Sequence, residues 1–247
     1  MGKLFDFGMV FEQIPDLLQY LPITLELALL AMALGLVLGF FMAIVKIKKT
    51  PVLYQIVNFI ISFLRGTPVI VQLYISFFGI PMFLKYLNQK FGTSFAVADV
   101  SGFFYAMIAL GLSESAFCSE IIRSAFISVN DGQIEAAYAI GMNYPQALRR
   151  IILPSAIAVA LPNLGNALIA IIKGTSLAFT CAVVEITARG RILAGRTYRY
   201  FETYVSLAIV YWIITIIIER SIRAIEKKIK IPEQVQLVSE AATNDKN

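Results

Sequence analysis

The chain contains no histidine, and it has only two cysteines and one tryptophan among its 247 residues. Histidine is the usual acid–base residue near neutral pH and the commonest metal ligand, so its absence argues against a conventional catalytic or metal centre. Cys118 and Cys181 lie among apolar or small residues. We expect them to be small buried side chains rather than a disulfide or a ligand pair. No basic face is interleaved with aromatic residues, so nothing indicates nucleic-acid binding.

Charged residues are also scarce. They make up 15% of the chain, hydrophobic residues make up 58%, and the mean hydropathy is +0.75. A soluble domain of this length could not hide so much apolar side chain from water. Several apolar runs reach the roughly 20 residues needed to cross a bilayer. The composition therefore predicts a polytopic, all-α membrane protein.

Five apolar runs are predicted to span the bilayer: residues 23–45, 52–83, 103–126, 151–172 and 204–222. The second run is interrupted by RGTP at residues 65–68. Two interpretations of this run stay open. It forms either one spanning helix whose first part is interfacial or kinked, or two short segments. Pro154 and Pro162 are expected to kink the fourth span. Residues 85–102 are polar enough to form a loop, and we expect an irregular stretch after Lys173.

The membrane topology follows from the number of spans and from the basic residues. Five spans place the ends of the chain on opposite sides, and the opening residues 1–20 lack the features of a cleavable signal. With the N-terminus outside, most basic clusters fall on one face, which the positive-inside bias makes cytoplasmic. Four arginines then lie outside and need either a re-entrant segment or a partner: Arg189, Arg191, Arg196 and Arg199. Without an internal linker, we expect one transmembrane domain, residues 1–230, and a polar cytoplasmic tail, residues 231–247.

A short polar segment interrupts the apolar pattern before the fourth span. Asn130-Asp131-Gly132 predicts a turn in which the aspartate caps a following helix, with Glu135 in its first turn. Ala136 and Ala137 allow another surface to approach the helix backbone closely. Gly141 is expected to end this helix in the left-handed conformation. Asn143 and Pro145 then begin a second helix. Local chemistry alone favours a solvated loop with ordinary caps.

The spacing of this segment resembles the cytoplasmic signature of ATP-binding-cassette (ABC) importer permeases. It consists of Glu-Ala-Ala at 135–137, three residues, Gly141, nine residues, and then Ile151-x-Leu153-Pro154. In that family the helix inserts into a groove on the ATPase subunit. The resemblance therefore implies that Glu135, Ala136, Ala137 and Gly141 form the ATPase-coupling surface, and it implies the type I importer permease fold.

Further motifs extend the resemblance over nearly the whole chain, towards the polar amino-acid uptake branch. They are RGTPVIVQLY at 65–74, SEIIRSAF at 119–126 and LPNLGNALIAIIKGTSL at 161–177. The branch more often has glycines where Ser124 and Ala125 stand, and a polar residue in place of Gly174. KGTSLAF and VSLAIVYW lean towards cystine-type members.

The chain has no ATP site of its own in this interpretation. A phosphate loop needs G-x-x-x-x-G-K-[ST], whereas residues 172–176 read IKGTS after an apolar span. ATP and magnesium would therefore be bound by a partner ATPase. The resemblance also implies a second permease subunit, identical or homologous, an extracytoplasmic solute-binding protein, and location in a prokaryotic cytoplasmic membrane. Charges in the outer loop are candidates for docking the binding protein.

A polar or small stripe is predicted along the fourth span. Asn163, Asn166, Ala170 and Lys173 recur at three- and four-residue steps, so they share one helix face. Lys173 is a candidate partner for a substrate carboxylate, and the alternative is a lysine that extends to the membrane interface.

Other candidates for the substrate pathway lie on neighbouring segments. In the third span Glu114 and Cys118 share a face, and Glu114 is the candidate for a substrate amino group. Glu120 points elsewhere and is expected to neutralise Arg123. Three polar residues complete the predicted pathway: Gln72, Thr175 and Ser176.

The sequence thus predicts the transmembrane subunit of an ATP-driven importer of polar amino acids, with cystine a candidate substrate. The alternative is a secondary carrier driven by an ion gradient, for which inverted internal repeats would be expected. The two halves of the chain show no convincing repeat.

Overall fold

The computed structural model describes residues 5–95, 97 and 100–229, and it is helical without strands over these residues. Two π-helical turns, Ile75–Gly79 and Leu148–Ile152, and one 3₁₀ segment, Thr175–Cys181, interrupt or extend the α-helices. The α-helices are α1 (Phe7–Glu12), α2 (Ile14–Leu18), α3 (Leu21–Lys48), α4 (Leu53–Gly66), α5 (Val69–Tyr74), α6 (Ile80–Phe91), α7 (Gly102–Ile127), α8 (Asp131–Ala139), α9 (Tyr144–Ala147), α10 (Leu153–Gly174), α11 (Ile186–Thr197) and α12 (Tyr200–Ile229).

Five helical stretches of the described residues are long and apolar enough to cross a membrane, as predicted. They are Leu21–Lys48, Val69–Phe91, Gly102–Ile127, Tyr144–Cys181 and Tyr200–Ile229. Four of these stretches are longer than the apolar runs that revealed them, because polar helix formers extend them beyond the hydrocarbon layer, whereas Val69–Phe91 is shorter than its run.

The second apolar run is divided at the RGTP motif. Thr67 adopts extended backbone angles and ends α4, and Pro68 precedes α5. The 14 residues of α4 are too few to span, whereas Val69–Phe91 is long enough. This geometry supports one spanning helix with a separate, kinked first part. The prediction of two short segments is wrong.

Two loop predictions are also wrong. Residues 85–91 were expected to lie in a loop, but they continue α6 until Gly92, whose φ of 65° ends the helix. The stretch after Lys173 is not irregular, because the 3₁₀ segment extends the fourth span and α11 follows it. Polar residues made both stretches look like loops, yet they contain few residues that terminate a helix.

The centre of the fold is the close packing of α3 against α7. A Cβ placed on Gly39 would lie 2.8 Å from Cys118 Cβ, and one on Gly111 would lie 2.7 Å from Leu34 Cδ2. Glycines at these positions allow two backbones to approach, which is how membrane helices gain van der Waals contact without a hydrophobic driving force. Cys118 and Cys181 are both free and buried, as predicted.

The amino-terminal helices pack against the last part of the chain. Ser206 in α12 donates a 2.7 Å hydrogen bond to the carbonyl of Val10. Arg189 in α11 forms a bidentate ion pair with Asp16 in α2, with a shortest distance of 2.7 Å. At the other end, a Cβ on Gly165 would lie 2.5 Å from Ile222, so α10 and α12 cross closely there.

Candidate functional site

The short polar helix α8 is capped by Asn130 rather than by Asp131. The Asn130 side chain accepts a 2.8 Å hydrogen bond from the backbone N–H of Gly132. Because α8 already begins at Asp131, that residue supplies the acidic group of the first turn, and Glu135 lies in the second turn. Both predictions are therefore wrong by one residue: the cap is Asn130 instead of Asp131, and Glu135 lies just after the first turn instead of in it.

The end of α8 forms a Schellman motif around Gly141. Gly141 has a φ of 86°, its N–H bonds the carbonyl of Tyr138, and the N–H of Met142 bonds that of Ala137. A reciprocal capping box between Asn143 and Gln146 then begins α9. These bonds make a defined connection from α8 to the fourth span, as the sequence predicted for Gly141 and Asn143.

The predicted coupling residues do not all face outward. Glu135, Ala136 and Gly141 are exposed, whereas the side chain of Ala137 is only 2% exposed and packs beneath the helix. An apolar side chain borders the exposed three, since Ile140 is 75% exposed. The resulting surface combines a carboxylate, a small residue and an apolar rim, which suits contact with another protein. We call it the α8 surface.

The polar stripe of the fourth span lies on the surface of the single chain. Its four members, Asn163, Asn166, Ala170 and Lys173, are all exposed. Asn166 also lines a groove of about 240 Å³ between α10 and the charged end of α12, where Glu219 and Glu226 lie. The structure therefore confirms that these residues share one open face.

The depth of Lys173 follows from a chain of contacts across three helices. Leu34 lies at the midpoint of α3, 13 residues from Leu21 and 14 from Lys48. Leu34 packs against Gly111 on α7. The residue before Gly111, Leu110, has its Cδ2 3.8 Å from the position that a Cβ would occupy on Gly174. Gly174 and the adjacent Lys173 are therefore near the middle of the bundle, about 20 Å from each end of α3. Within the described residues, Lys173 has no ion pair or hydrogen-bond partner.

Glu114 lies at the same depth but is enclosed. Glu114 is 8% exposed, and a Cβ placed on Gly35 of α3 would lie 3.0 Å from the Cβ of Glu114. Its Oε1 is 4.0 Å from the thiol of Cys118, so the predicted shared face is confirmed.

Glu120 points elsewhere and pairs with Arg123 at 2.9 Å, as predicted, but it also pairs with Lys46 on α3, which the sequence did not indicate.

The three remaining pathway candidates are engaged in local structure. Gln72 is 6% exposed, and its amide Nε2 donates to the carbonyl of Leu64 at 2.8 Å. It lines a cavity of about 320 Å³ whose other lining residues are almost all apolar. Thr175 is buried and donates to the carbonyl of Ile172 at 2.7 Å, while Ser176 is half-buried. The structure does not bring these residues into the exposed stripe.

Sequence reasoning missed a buried polar network centred on Glu185. This side chain is fully buried, its Oε1 accepts a 2.8 Å bond from the N–H of Ala188, and its Oε2 accepts a 3.1 Å bond from Tyr211. Thr24 also donates to Oε2 at 3.5 Å. Burial raises the pKa of the Glu185 carboxyl, although these bonds oppose the shift. The only sequence signal was a carboxylate within the apolar run AVVEI at residues 182–186.

Three of the four arginines that contradicted the positive-inside bias contact partners within the described residues. Arg189 pairs with Asp16, and Arg199 pairs with Glu202 at 3.1 Å. Arg191 stacks over the ring of Phe179 at 3.9 Å. Of the two explanations offered by the sequence, the structure supports partners for these arginines.

Comparisons with known proteins agree with this architecture. Residues 35–231 match the family model described as the binding-protein-dependent transport system inner membrane component. The chain is 42% identical over 231 residues to the L-cystine transport system permease protein TcyL of Bacillus subtilis, covering 93% of this chain and 94% of that protein. It is also 42% identical to the probable amino-acid permease protein YxeN of Bacillus subtilis, covering 86% of this chain and 90% of that protein.

A solved structure shows the same fold. It is described as an amino acid ABC transporter with histidines, and it superposes with a TM-score of 0.75 at 30% identity, covering 92% of this chain and 100% of that one. The all-α importer permease fold with five membrane helices is thus confirmed. The chain is a multi-pass inner membrane protein and belongs to the family of binding-protein-dependent transport system inner membrane components.

Proposed function

We propose that the chain is the transmembrane subunit of an ATP-driven importer that moves polar amino acids, with L-cystine as the first candidate, into a prokaryotic cell. The observation that carries the proposal is the position of Lys173, which is exposed on the single chain near the middle of the membrane. A charged side chain facing lipid at that depth costs several kcal/mol. A water-filled pathway between two permease subunits removes that cost and offers the ammonium group to a substrate carboxylate.

A second permease subunit, identical or homologous, completes the pathway in this proposal. Asn163 and Asn166 continue the open face towards the groove beside Glu219. Glu114 is enclosed where α7 packs on α3, at the depth of Lys173, and is proposed to attract the substrate's amino group. Gln72, Thr175 and Ser176 are proposed to shape the pathway from behind, since their polar atoms are buried or locally bonded.

Energy enters through the α8 surface in this proposal. Glu135, Ala136 and Gly141 meet an ABC ATPase subunit that binds ATP and magnesium, and Ala137 supports them from below. The capping box and the π-helical turn Leu148–Ile152 join this surface to the fourth span. Movement of the ATPase would therefore be transmitted to the helix that carries Lys173.

The proposed orientation places the N-terminus outside and α8 in the cytoplasm, with a solute-binding protein docked at the opposite end. The amino-terminal 230 residues form the permease domain, and residues 231–247, which lie outside the described residues, form a cytoplasmic tail. Arg189 is held by Asp16, so Arg191 and Arg196 are the better candidates for docking an acidic surface. Relatives named as amino-acid and cystine permeases support this function, and they give no support to an ion-gradient carrier.

The test is reconstitution with the ATPase and binding protein that copurify with the chain, followed by uptake and ATP hydrolysis across a panel of amino acids. We expect L-cystine or another polar amino acid to stimulate hydrolysis and to accumulate. Uptake that persists without an ATPase but collapses with the ion gradient would establish the carrier instead.

The coupling step has its own test. Ala136→Trp places a large side chain on the α8 surface, and Ala224→Trp makes the same change at an exposed position near the end of α12. We expect the first variant to lose ATPase association and the second to retain it. Equal association of the two variants with the ATPase would show that the α8 surface does not take part in coupling.

A further inference from the structure

A second cavity lies at the end of the bundle opposite α8. It measures about 530 Å³ and is bounded by the start of α3, the start of α7 and the turn after the 3₁₀ segment. A Cβ on Gly102 would overlap the carbonyl oxygen of Cys181, so the start of α7 and the turn after the 3₁₀ segment are in direct contact. The lining of the cavity includes Tyr20, Glu26, Phe103, Phe104, Val183 and Val184.

Glu26 gives this cavity its chemistry. It is the one ionisable carboxylate among the lining residues, and three aromatic rings share the cavity with it: Tyr20, Phe103 and Phe104. A carboxylate beside aromatic faces attracts organic cations through charge and through the ring quadrupole. The volume lies within the range of small-molecule sites.

Two arginines at this end of the bundle, Arg189 and Arg191, are engaged by side chains other than Glu26. Arg189 lies over the ring of Tyr20, 5.4 Å from its centroid, but its charge is paired with Asp16, and Arg191 stacks on Phe179. Within the described residues, no ion pair includes Glu26. The carboxylate is therefore available to a cation that comes from outside the chain.

The cavity wall is held in place by the Glu185 network. Thr24, two residues before Glu26 on α3, bonds both Glu185 and the backbone N–H of Ile186. These bonds tie the turn that contains Val183 and Val184 to the helix that carries Glu26. A site whose walls are fixed in advance loses less free energy on binding than one that must be ordered.

We propose that Glu26 and the surrounding aromatic rings form an entry site that receives the ammonium group of the amino acid as it leaves the binding protein. The proposal rests on the proposed transport function and names a site for its substrate at the outer mouth. Glu26 would supply a carboxylate at the entrance, and Lys173 supplies an ammonium group near the middle of the membrane. The amino and carboxylate groups of a zwitterionic substrate would therefore meet opposite charges at successive depths.

The test uses the complete reconstituted transporter, with uptake measured at saturating substrate-loaded binding protein. The substrate is L-cystine, or the amino acid that the wild-type transporter accumulates best. Glu26→Gln keeps the size of the side chain and removes its charge. We expect it to lower the maximal uptake rate about tenfold, with partial recovery in Glu26→Asp. The concentration of binding protein that gives half-maximal uptake should not change.

The matched control is Glu12→Gln, which removes an exposed carboxylate from α1 outside the cavity and should leave uptake unchanged. Unchanged uptake in Glu26→Gln would overturn the entry site. A higher half-maximal concentration of binding protein with an unchanged maximal rate would also overturn it, because Glu26 would then meet a basic side chain of that protein. Failure of the wild-type transporter to move any amino acid would instead overturn the proposed function.

Discussion

The hydroxyl of Tyr211 on α12 donates a 3.1 Å hydrogen bond to Oε2 of Glu185, in the turn before α11. Thr187 lies 2.9 Å from the same hydroxyl, and Thr24 on α3 reaches the same carboxylate oxygen. One buried side chain therefore joins the first span, the last span and the segment between the fourth and fifth spans. Removing it affects the packing of all three.

Glu185→Ala is expected to destabilise the protein by about 1–3 kcal/mol, because it leaves the buried N–H of Ala188 and the hydroxyl of Tyr211 without their acceptor. Glu185→Gln retains an acceptor for Ala188 and should cost less. The midpoint of thermal unfolding in detergent measures both. Equal midpoints for wild type and Glu185→Ala would show that these bonds do not stabilise the fold.

The same carboxylate predicts a pH dependence. Burial raises the pKa of Glu185 above its ordinary value of 4.5, so the folded state holds this proton more tightly than the unfolded chain does. Its stabilising effect is fully present below pH 4.5 and is lost as the pH rises through the raised pKa. Relative to Glu185→Gln, the wild-type unfolding midpoint should therefore fall as the pH increases across this window. A difference that instead grew with pH would mean that the hydrogen bonds to the Glu185 carboxylate outweigh its burial.

Gly39→Ala is expected to destabilise the packing of α3 against α7 by about 1–3 kcal/mol. The added Cβ would lie 2.8 Å from Cys118 Cβ and 2.9 Å from the backbone of Ser115, neither of which is a flexible side-chain end. Gly66→Ala is the matched control, because nothing lies within 4 Å of its Cβ position. That change should be neutral or stabilise by up to about 1 kcal/mol. Chemical unfolding of the two variants in the same detergent compares them directly.

Hydropathy was sufficient to predict the five spans, because a bilayer leaves a helix as the only way to satisfy the backbone of a single apolar segment. It was not sufficient to place their ends. Lys85–Phe91 is polar and helical, and the stretch after Lys173 is helical as well, because polarity reports the surroundings of a helix rather than its existence.

Local chemistry predicted the exposed half of the candidate site better than the buried half. Gly141 needs its left-handed conformation whatever surrounds it, and the stripe ending at Lys173 follows from helical spacing alone. The Glu185 network joins residues separated by 161 and 26 positions, and no local pattern encodes such contacts. The pairing of Glu120 with Lys46 was missed for the same reason, since it links two different spans.

Glu120→Ala is expected to cost about 1–3 kcal/mol, because it leaves the mostly buried amine of Lys46 without its carboxylate. Glu219→Ala removes the carboxylate of the exposed pair with Arg223, whose closest atoms are 3.7 Å apart, and should cost less than about 0.5 kcal/mol. The order of the two unfolding midpoints checks this prediction at low salt. A larger effect of Glu219→Ala would show that the Lys46–Glu120–Arg123 cluster contributes little.

Lys173→Ala is expected to lower uptake by about tenfold or more while leaving expression, membrane insertion and assembly with the ATPase intact. Its side chain is exposed and makes no bond within the described chain, so its loss removes no intrachain contact, yet it lies where a charge in lipid would be costly. Glu114→Ala should also lower uptake, but Glu114 is buried against Gly35, so its unfolding midpoint must be measured alongside. Initial uptake rates in proteoliposomes, normalised to assembled complex, separate the two effects. Wild-type uptake in Lys173→Ala would mean that this lysine extends to an interface instead of lining the pathway, and the proposed path between two permease subunits would lose its central charge.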